Sequence, residues 1–263
     1  MVRGTEKLLT IQPYFIVAEK KAKEAISLFN RCQFEAALIV LSRVEEKIRL
    51  PRILERVEPL KNAAMAYSLW DRFDHKAAFE EVKKLKMPNF DRNKAFLGKL
   101  LNAGEREPYL IADLINNAIR RGYIEQKYDD AVARFYRVTE LIAQYRLKKY
   151  GVEGTGDVHP DKIPKNLTGE IVPDEDGRIR ISMHKAYQLL AACGDEIGKR
   201  YESDKVIQNE LSKRNTSILA HGLSPMTKDD YEVLKEKVIY YAKETVPSLN
   251  NLLGESRLMI WMG

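Results

Sequence analysis

Apolar residues recur every three or four positions through most of the first 150 residues, which is the period of an α-helix. The clearest stretch runs from about Asp129 to Tyr150. Its apolar stripe comprises Ala131, Phe135, Val138, Ile142 and Tyr145. Gly151 follows directly, and glycine is the usual residue just after the end of a helix. The pattern therefore predicts one long helix over residues 129–150.

The helical part contains a repeated motif. Residues 28–37 align without gaps on residues 69–78, and each segment is typical of a helix end, a short polar turn and the start of the next helix. A third, looser copy ends in residues 128–132. The shared alanines, Ala37, Ala78 and Ala131, are 41 and 53 residues apart, so the repeat is irregular. We predict helical hairpins like those of tetratricopeptide repeats, with Trp70, Phe73 and His75 packing between helices.

Residues 151–182 differ in composition from what precedes them, since they hold five of the 14 glycines and three of the ten prolines. Within them, residues 170–172 and 178–181 flank the turn-forming residues 173–177. We predict a small β-hairpin here, either a lid over a site or a simple insertion. Helical patterning resumes at about His184 and continues to roughly residue 253, with breaks at Gly194 and near Pro225.

The composition fits an all-α protein. Glycine and proline are too scarce for an all-β sandwich. The two cysteines, Cys32 and Cys193, form no disulfide or metal-ligand pattern, which is typical of a reducing cytoplasm.

No apolar run approaches the roughly 18–20 residues that span a membrane, and the N-terminus has no signal-peptide pattern. The formal charge of +6 permits nucleic-acid binding without indicating it. The apolar C-terminal tail, residues 259–262, is expected to dock on the domain or on a partner.

Candidate chemistry is concentrated in residues 213–222. Arg214 and His221 are seven positions apart, so on a continuous helix they would share a face, about 10 Å apart along its axis. Gly222 is placed to end such a helix. Histidine changes its protonation state near neutral pH and can transfer protons, whereas arginine binds phosphate oxygens with paired donors. An adjacent Asn215 can orient either the phosphate or the histidine.

These residue types fit metal-independent RNA cleavage, in which the 2′-hydroxyl attacks the adjacent phosphorus. One Arg-Asn-His set offers few groups for both proton transfers, which favours a site built from two chains. An ordinary amphipathic helix with a surface arginine and a capping histidine explains the same residues. A second pair, Arg178 and His184, has similar spacing but starts in a strand-like segment, and His159 has no nearby partner.

The run Arg214-Asn215-x5-His221 resembles the Arg-x4–6-His signature of HEPN ribonucleases. Residues 113–118, 128–140 and 219–222 also resemble the C-terminal effector region of CRISPR-associated CARF–HEPN proteins of the Csx/Csm ancillary group. Together with the repeated motif and the predicted β-hairpin, the resemblance leads us to expect helical hairpins over residues 1–105, followed by a HEPN helical domain over residues 106–263 with the β-hairpin insertion at about 151–182.

The resemblance also implies a function. Members of this family dimerise to form one composite site and cut single-stranded RNA without metal or cofactor, leaving 2′,3′-cyclic phosphate ends. It assigns the catalytic roles to Arg214, Asn215 and His221. Relatives carry an N-terminal CARF sensor domain that binds cyclic oligoadenylate, whereas residues 1–12 are too few for one and no glycine-rich phosphate loop appears. We therefore expect a sensor domain or separate regulator to be missing from this chain.

Two other functions remain open at this point: a helical scaffold that binds protein or RNA without catalysis, and a HEPN toxin outside CRISPR. Lys213, Arg134 and Arg137 are candidates for binding RNA phosphates. The alternative is that they solvate helix faces and pair with neighbours such as Glu140.

Overall fold

The computed structural model of this chain describes residues 13–47, 51–219 and 222–262. The described residues form α-helices with short 3-10 and π turns and no β-sheet, so the predicted all-α class is confirmed. They divide into two compact units, one of residues up to Leu97 together with those from Leu258, and one of residues 98–257. The predicted division of the chain after residue 105 stays a prediction.

The described residues of the first unit form four helices and most of a fifth. They are α1 (Pro13–Asn30), α2 (Phe34–Lys47), α3 (Pro51–Asp71), α4 (His75–Lys83) and α5 (Asp91–Asn102). Helices α1 and α2 form one hairpin, and α3 and α4 form another, as the repeated motif predicts. Trp70 and His75 are buried between helices, which confirms their packing role.

The turns of the repeated motif share an unusual backbone conformation. Cys32 and Phe73, which occupy equivalent places in the two aligned segments, have φ angles of 60° and 63°. Gln126 has a φ of 55° and lies 53 residues after Phe73, at the place that the third copy predicts. The three shared alanines are fully buried, as expected where two helix backbones approach closely. The third copy is therefore confirmed in structure as well as in sequence.

The apolar C-terminal tail docks within the first unit. The side chain of Asn30 donates to the carbonyl of Trp261 at 3.0 Å and accepts from its backbone N–H at 2.8 Å. The Trp261 ring packs edge-on against Phe29, at a centroid distance of 6.0 Å. The backbone N–H of Met259 donates to the hydroxyl of Tyr67 at 2.9 Å. The expected docking of the tail is thus confirmed, and the tail packs against α1 and α3.

The second unit is built around one long buried helix. Its helices are α6 (Glu107–Ile119), α7 (Tyr128–Leu147), α8 (Met183–Ala192), α9 (Glu196–Ser203), α10 (Lys205–Asn215), α11 (Lys228–Thr245) and α12 (Leu249–Ser256). Helix α7 packs against α6, α8, α10 and α11. Four residues of its predicted stripe are fully buried, and Tyr145 is half-buried. Gly151 has the left-handed conformation expected after this helix.

The predicted β-hairpin in residues 151–182 is wrong. The turn does form at Asp174–Gly177, but residues 170–172 do not pair with residues 178–181. Ile179 instead accepts from the N–H of Val158, and Ile181 donates to Thr155, both at 2.9 Å. Ile171, Ile179 and Ile181 are all buried, so the segment packs as a small extra layer. Alternation in the sequence identifies an extended segment and its buried face but not the segment with which it pairs.

Among the described helices, none is both long and apolar enough to cross a bilayer.

Candidate nuclease site

The helix that carries Arg214 ends earlier than the sequence predicts. Helix α10 stops at Asn215, so the expected continuous helix from Lys213 to His221 is wrong. The hydroxyl of Thr216 donates to the carbonyl of Lys213 at 2.8 Å, and the N–H of Ser217 donates to Arg214 at 3.0 Å. Serine and threonine side chains compete with the helix for backbone groups, and the hydroxyl of Thr216 does so directly after the last residue of α10.

After α10 the chain folds back onto the helix end. Ser217 and Ser224 form an isolated bridge, and the N–H of Gly222 donates to the carbonyl of Ser217 at 3.2 Å. A Cβ atom added to Gly222 would lie 2.0 Å from the carbonyl oxygen of Thr216. Gly222 is therefore needed for a close backbone contact, and its predicted role at the end of a helix is wrong.

His221 and Ala220 lie outside the described residues. Their neighbour Gly222 lies against Thr216, which is two positions after Arg214. The far end of this loop is held as well, since the N–H of Met226 donates to both carboxylate oxygens of Asp129 at 3.3 Å. Asn215 is exposed at the last position of α10.

Arg214 is half-buried and points its guanidinium at an aromatic ring. The guanidinium carbon lies 4.8 Å from the ring centroid of Tyr136 on α7. Its Nε atom is buried without a hydrogen-bond partner. Within the described parts of the chain, Arg214 forms no ion pair with a carboxylate. The positive charge of Arg214 is thus not offset by a carboxylate among the described residues.

The three candidate RNA-binding cations are differently placed. Lys213 pairs with Asp230 at 2.6 Å and with Glu210 at 2.7 Å, and these hydrogen bonds raise the pKa of its ammonium group. Arg137 pairs with Glu140 at 3.1 Å, as the alternative interpretation predicts. Arg134 pairs with Asp130 at 3.3 Å and also donates to Asn117. A direct role in RNA binding stays a prediction for all three.

The second arginine–histidine pair, Arg178 and His184, is placed as the sequence predicts. His184 is the second residue of α8, and Arg178 lies in the non-helical segment before it. His159 is exposed and caps a 3-10 turn, but it does have a nearby partner, since its Nδ1 atom lies 3.3 Å from a carboxylate oxygen of Asp161. Neither contacts Arg214 in the described structure.

Tyr136 is the site residue that sequence reasoning missed. It lies between Arg134 and Arg137, whose charges drew attention, and it is not on the buried stripe of α7. Burial and the nearby Glu140 raise the pKa of its phenol, and Arg214 opposes this shift. The group is therefore a neutral phenol at neutral pH. The sequence signal that could have identified Tyr136 is its position off the apolar stripe of a buried helix.

In the part of the chain that the structure describes, no group of three or more His, Cys, Asp or Glu residues is arranged to hold a metal ion.

The chain matches two models of known protein families. Residues 100–245, more than half of its length, match the model of the Csm6 HEPN domain. Residues 17–111 match the model of the Csm6 6H domain. No curated protein shows significant similarity to the chain. The HEPN match contains α10 and the Arg214–His221 signature, which confirms the resemblance. The chain therefore belongs to the Csm6 HEPN family of CRISPR-associated nucleases.

Proposed function

We propose that this chain is a metal-independent endoribonuclease that cuts single-stranded RNA by attack of the 2′-hydroxyl on the adjacent phosphorus. The observation that carries the proposal is the environment of Arg214, a half-buried guanidinium without a carboxylate partner among the described residues. Arginines fixed in helical proteins usually pair with acids, as Arg137 and Arg134 do here. A guanidinium held without such a partner suits binding of a phosphate.

The proposed reaction divides between two residue types. The bond from the 2′-oxygen to phosphorus forms while the bond from phosphorus to the 5′-oxygen breaks, so the products are a 2′,3′-cyclic phosphate and a 5′-hydroxyl. One proton leaves the 2′-hydroxyl and another reaches the departing 5′-oxygen. His221 is the proposed proton-transfer group, and Arg214 stabilises the charge that develops on the phosphoryl oxygens. Asn215 is proposed to orient the phosphate.

The first test is cleavage of a 5′-labelled single-stranded RNA by the purified chain in excess EDTA. We expect cleavage to persist, with products that carry 2′,3′-cyclic phosphates, because the attacking hydroxyl belongs to the RNA itself. His221→Ala is expected to remove it, since acid–base catalysis contributes about 10²–10⁴-fold to such reactions. His159→Ala is the matched control and should leave cleavage unchanged. Equal cleavage by both variants would contradict the proposal and favour a non-catalytic helical scaffold.

We also propose that two copies of the chain form one composite site, because each copy contributes a single His221. Apolar side chains flank this position. Ile218, Leu219 and Leu223 are 59%, 48% and 87% exposed. Such a cluster of exposed apolar side chains is typical of an interaction surface, and a second copy is the occupant that supplies the missing proton-transfer group.

This pairing predicts that Leu223→Asp weakens self-association and RNA cleavage together. Placing a charge in an apolar interface should raise the dimer dissociation constant by about 10-fold or more. Analytical ultracentrifugation measures the association, and cleavage assays at matched concentrations measure the activity. Ile39→Asp, at another exposed apolar position (56%) on α2, is the control and should change neither. Full activity of a monomeric wild-type chain would contradict the composite site.

A further inference from the structure

The contact between Arg214 and Tyr136 differs from the contacts of other cations near the site. Arg134, Arg137 and Lys213 all pair with carboxylates, whereas the guanidinium of Arg214 lies 4.8 Å over the ring of Tyr136. Building on the proposed role of Arg214, we propose that Tyr136 is a positioning residue that holds this guanidinium ready for the RNA phosphate.

An aromatic face is suited to this task. It attracts a cation through the negative charge above the ring and consumes none of the guanidinium N–H donors. A carboxylate partner would occupy two of those donors and offset the charge that a phosphate needs. Tyr136 therefore orients Arg214 without a carboxylate, so that neither the charge nor the terminal N–H donors of Arg214 are taken up by an acid. The Nε atom also has no acceptor in the described structure, but it is buried, so the proposed phosphate donors are the two terminal nitrogens of the guanidinium.

A competing partner for Arg214 lies one turn earlier on the same helix. Glu210 is only 8% exposed, and its Oε2 atom is buried without a hydrogen-bond partner. Its other oxygen accepts from Lys213 at 2.7 Å. A glutamate four positions before an arginine is in the favourable order for an ion pair along a helix. Stacking on Tyr136 keeps Arg214 out of that pair. Loss of the ring should therefore let Arg214 turn to Glu210 and leave the phosphate site.

The kinetic test compares Tyr136→Leu with the wild-type chain. Loss of the stack is expected to lower kcat about 10-fold with KM nearly unchanged, because Arg214 acts mainly on the transition state. Tyr136→Phe keeps the ring and should restore most of the activity. The double variant Tyr136→Leu/Glu210→Gln should recover much of the loss, because the competing carboxylate is gone.

The chain offers a second arginine–tyrosine stack as a control, in which the arginine also pairs with Glu244 at 3.8 Å. Arg200 on α9 lies over the ring of Tyr240 on α11 at 5.1 Å, in a more exposed place. Tyr240→Leu removes the same kind of contact away from Arg214 and should leave kcat unchanged. If Tyr136→Leu cleaves RNA as well as the wild-type chain while Arg214→Ala is inactive, the positioning role is overturned and the proposed nuclease function stands. If Arg214→Ala cleaves as well as the wild-type chain, the nuclease function itself fails.

A measurement independent of activity tests the stack directly. In ¹⁵N-labelled protein the Nε–H resonance of Arg214, assigned by its loss in Arg214→Ala, should be shifted upfield by the ring of Tyr136. The shift should disappear in Tyr136→Leu and remain in Tyr136→Phe and Tyr240→Leu. An Arg214 resonance that is the same in the wild-type chain and in Tyr136→Leu would overturn the proposal, whatever the cleavage assays show.

Discussion

Replacing Arg214 with alanine is expected to lower kcat/KM for RNA cleavage about 10³-fold. The reason is that a fixed guanidinium stabilises negative charge on the phosphoryl oxygens as the bond to the 5′-oxygen breaks. The loss corresponds to about 4 kcal/mol of transition-state stabilisation, since each factor of ten is worth about 1.4 kcal/mol. Single-turnover cleavage of a labelled RNA measures it.

Two further variants serve as controls for Arg214→Ala. Arg214→Lys keeps the charge but loses the flat, forked geometry that binds phosphate and stacks on Tyr136, so we expect it to recover only a small part of the activity. Arg200→Ala removes a similarly stacked arginine from the same unit and should cleave normally. Circular dichroism and thermal unfolding should show all three variants folded, because Arg214 is half-buried and at the end of its helix. Activity of Arg214→Ala within about threefold of wild type would refute the catalytic role.

Replacing Asp195 with alanine is expected to destabilise the second unit by about 3–5 kcal/mol. Asp195 is only 3% exposed, and its carboxylate accepts two short hydrogen bonds from the guanidinium of Arg146, at 2.8 and 2.6 Å. It also caps α9 by accepting from the N–H groups of Ile197 and Gly198. Removing it leaves the guanidinium of Arg146 almost buried and without its partner, and leaves α9 uncapped. Urea denaturation followed by far-ultraviolet circular dichroism measures the change in the free energy of unfolding.

The pH dependence of stability should report the same carboxylate. Burial raises the pKa of Asp195, but hydrogen bonds and charge from Arg146 outweigh it and leave the pKa below its ordinary value of 3.8. A carboxyl whose pKa is lower when folded adds stability above its unfolded pKa. That stability should decline as the pH falls below about 4 toward the lower folded pKa. Asp195→Ala should lack this contribution.

Asp176→Ala is the control for Asp195→Ala. Asp176 pairs with Arg180 at 3.1 Å, but its side chain is 68% exposed. Exposed ion pairs of this kind contribute about 0–1 kcal/mol, so the variant should unfold almost as the wild-type chain does. A loss below about 1 kcal/mol for Asp195→Ala would contradict the structural role assigned to the Arg146–Asp195 pair.

Local pattern in the sequence was sufficient for several conclusions. The all-α class, the long helix α7 with Gly151 after it, and the turns at Cys32, Phe73 and Gln126 follow from periodicity and from small residues at recurrent places. These features are set by interactions within a few residues of one another, which is the range over which sequence patterns are informative. The signature that contains Arg214 also indicated the nuclease family before any geometry was known.

Other features were decided only by tertiary structure. Helix α10 ends at Asn215 because the hydroxyl of Thr216 takes the carbonyl of Lys213 and the returning loop brings Gly222 against Thr216. Residues 178–181 pair with residues 155–158 rather than with the other side of their own turn. Tyr136 meets Arg214 although the two are far apart in the sequence. Periodicity shows which face of a segment is buried, but the partner of that face depends on contacts between distant parts of the chain, and these form only when the whole unit packs.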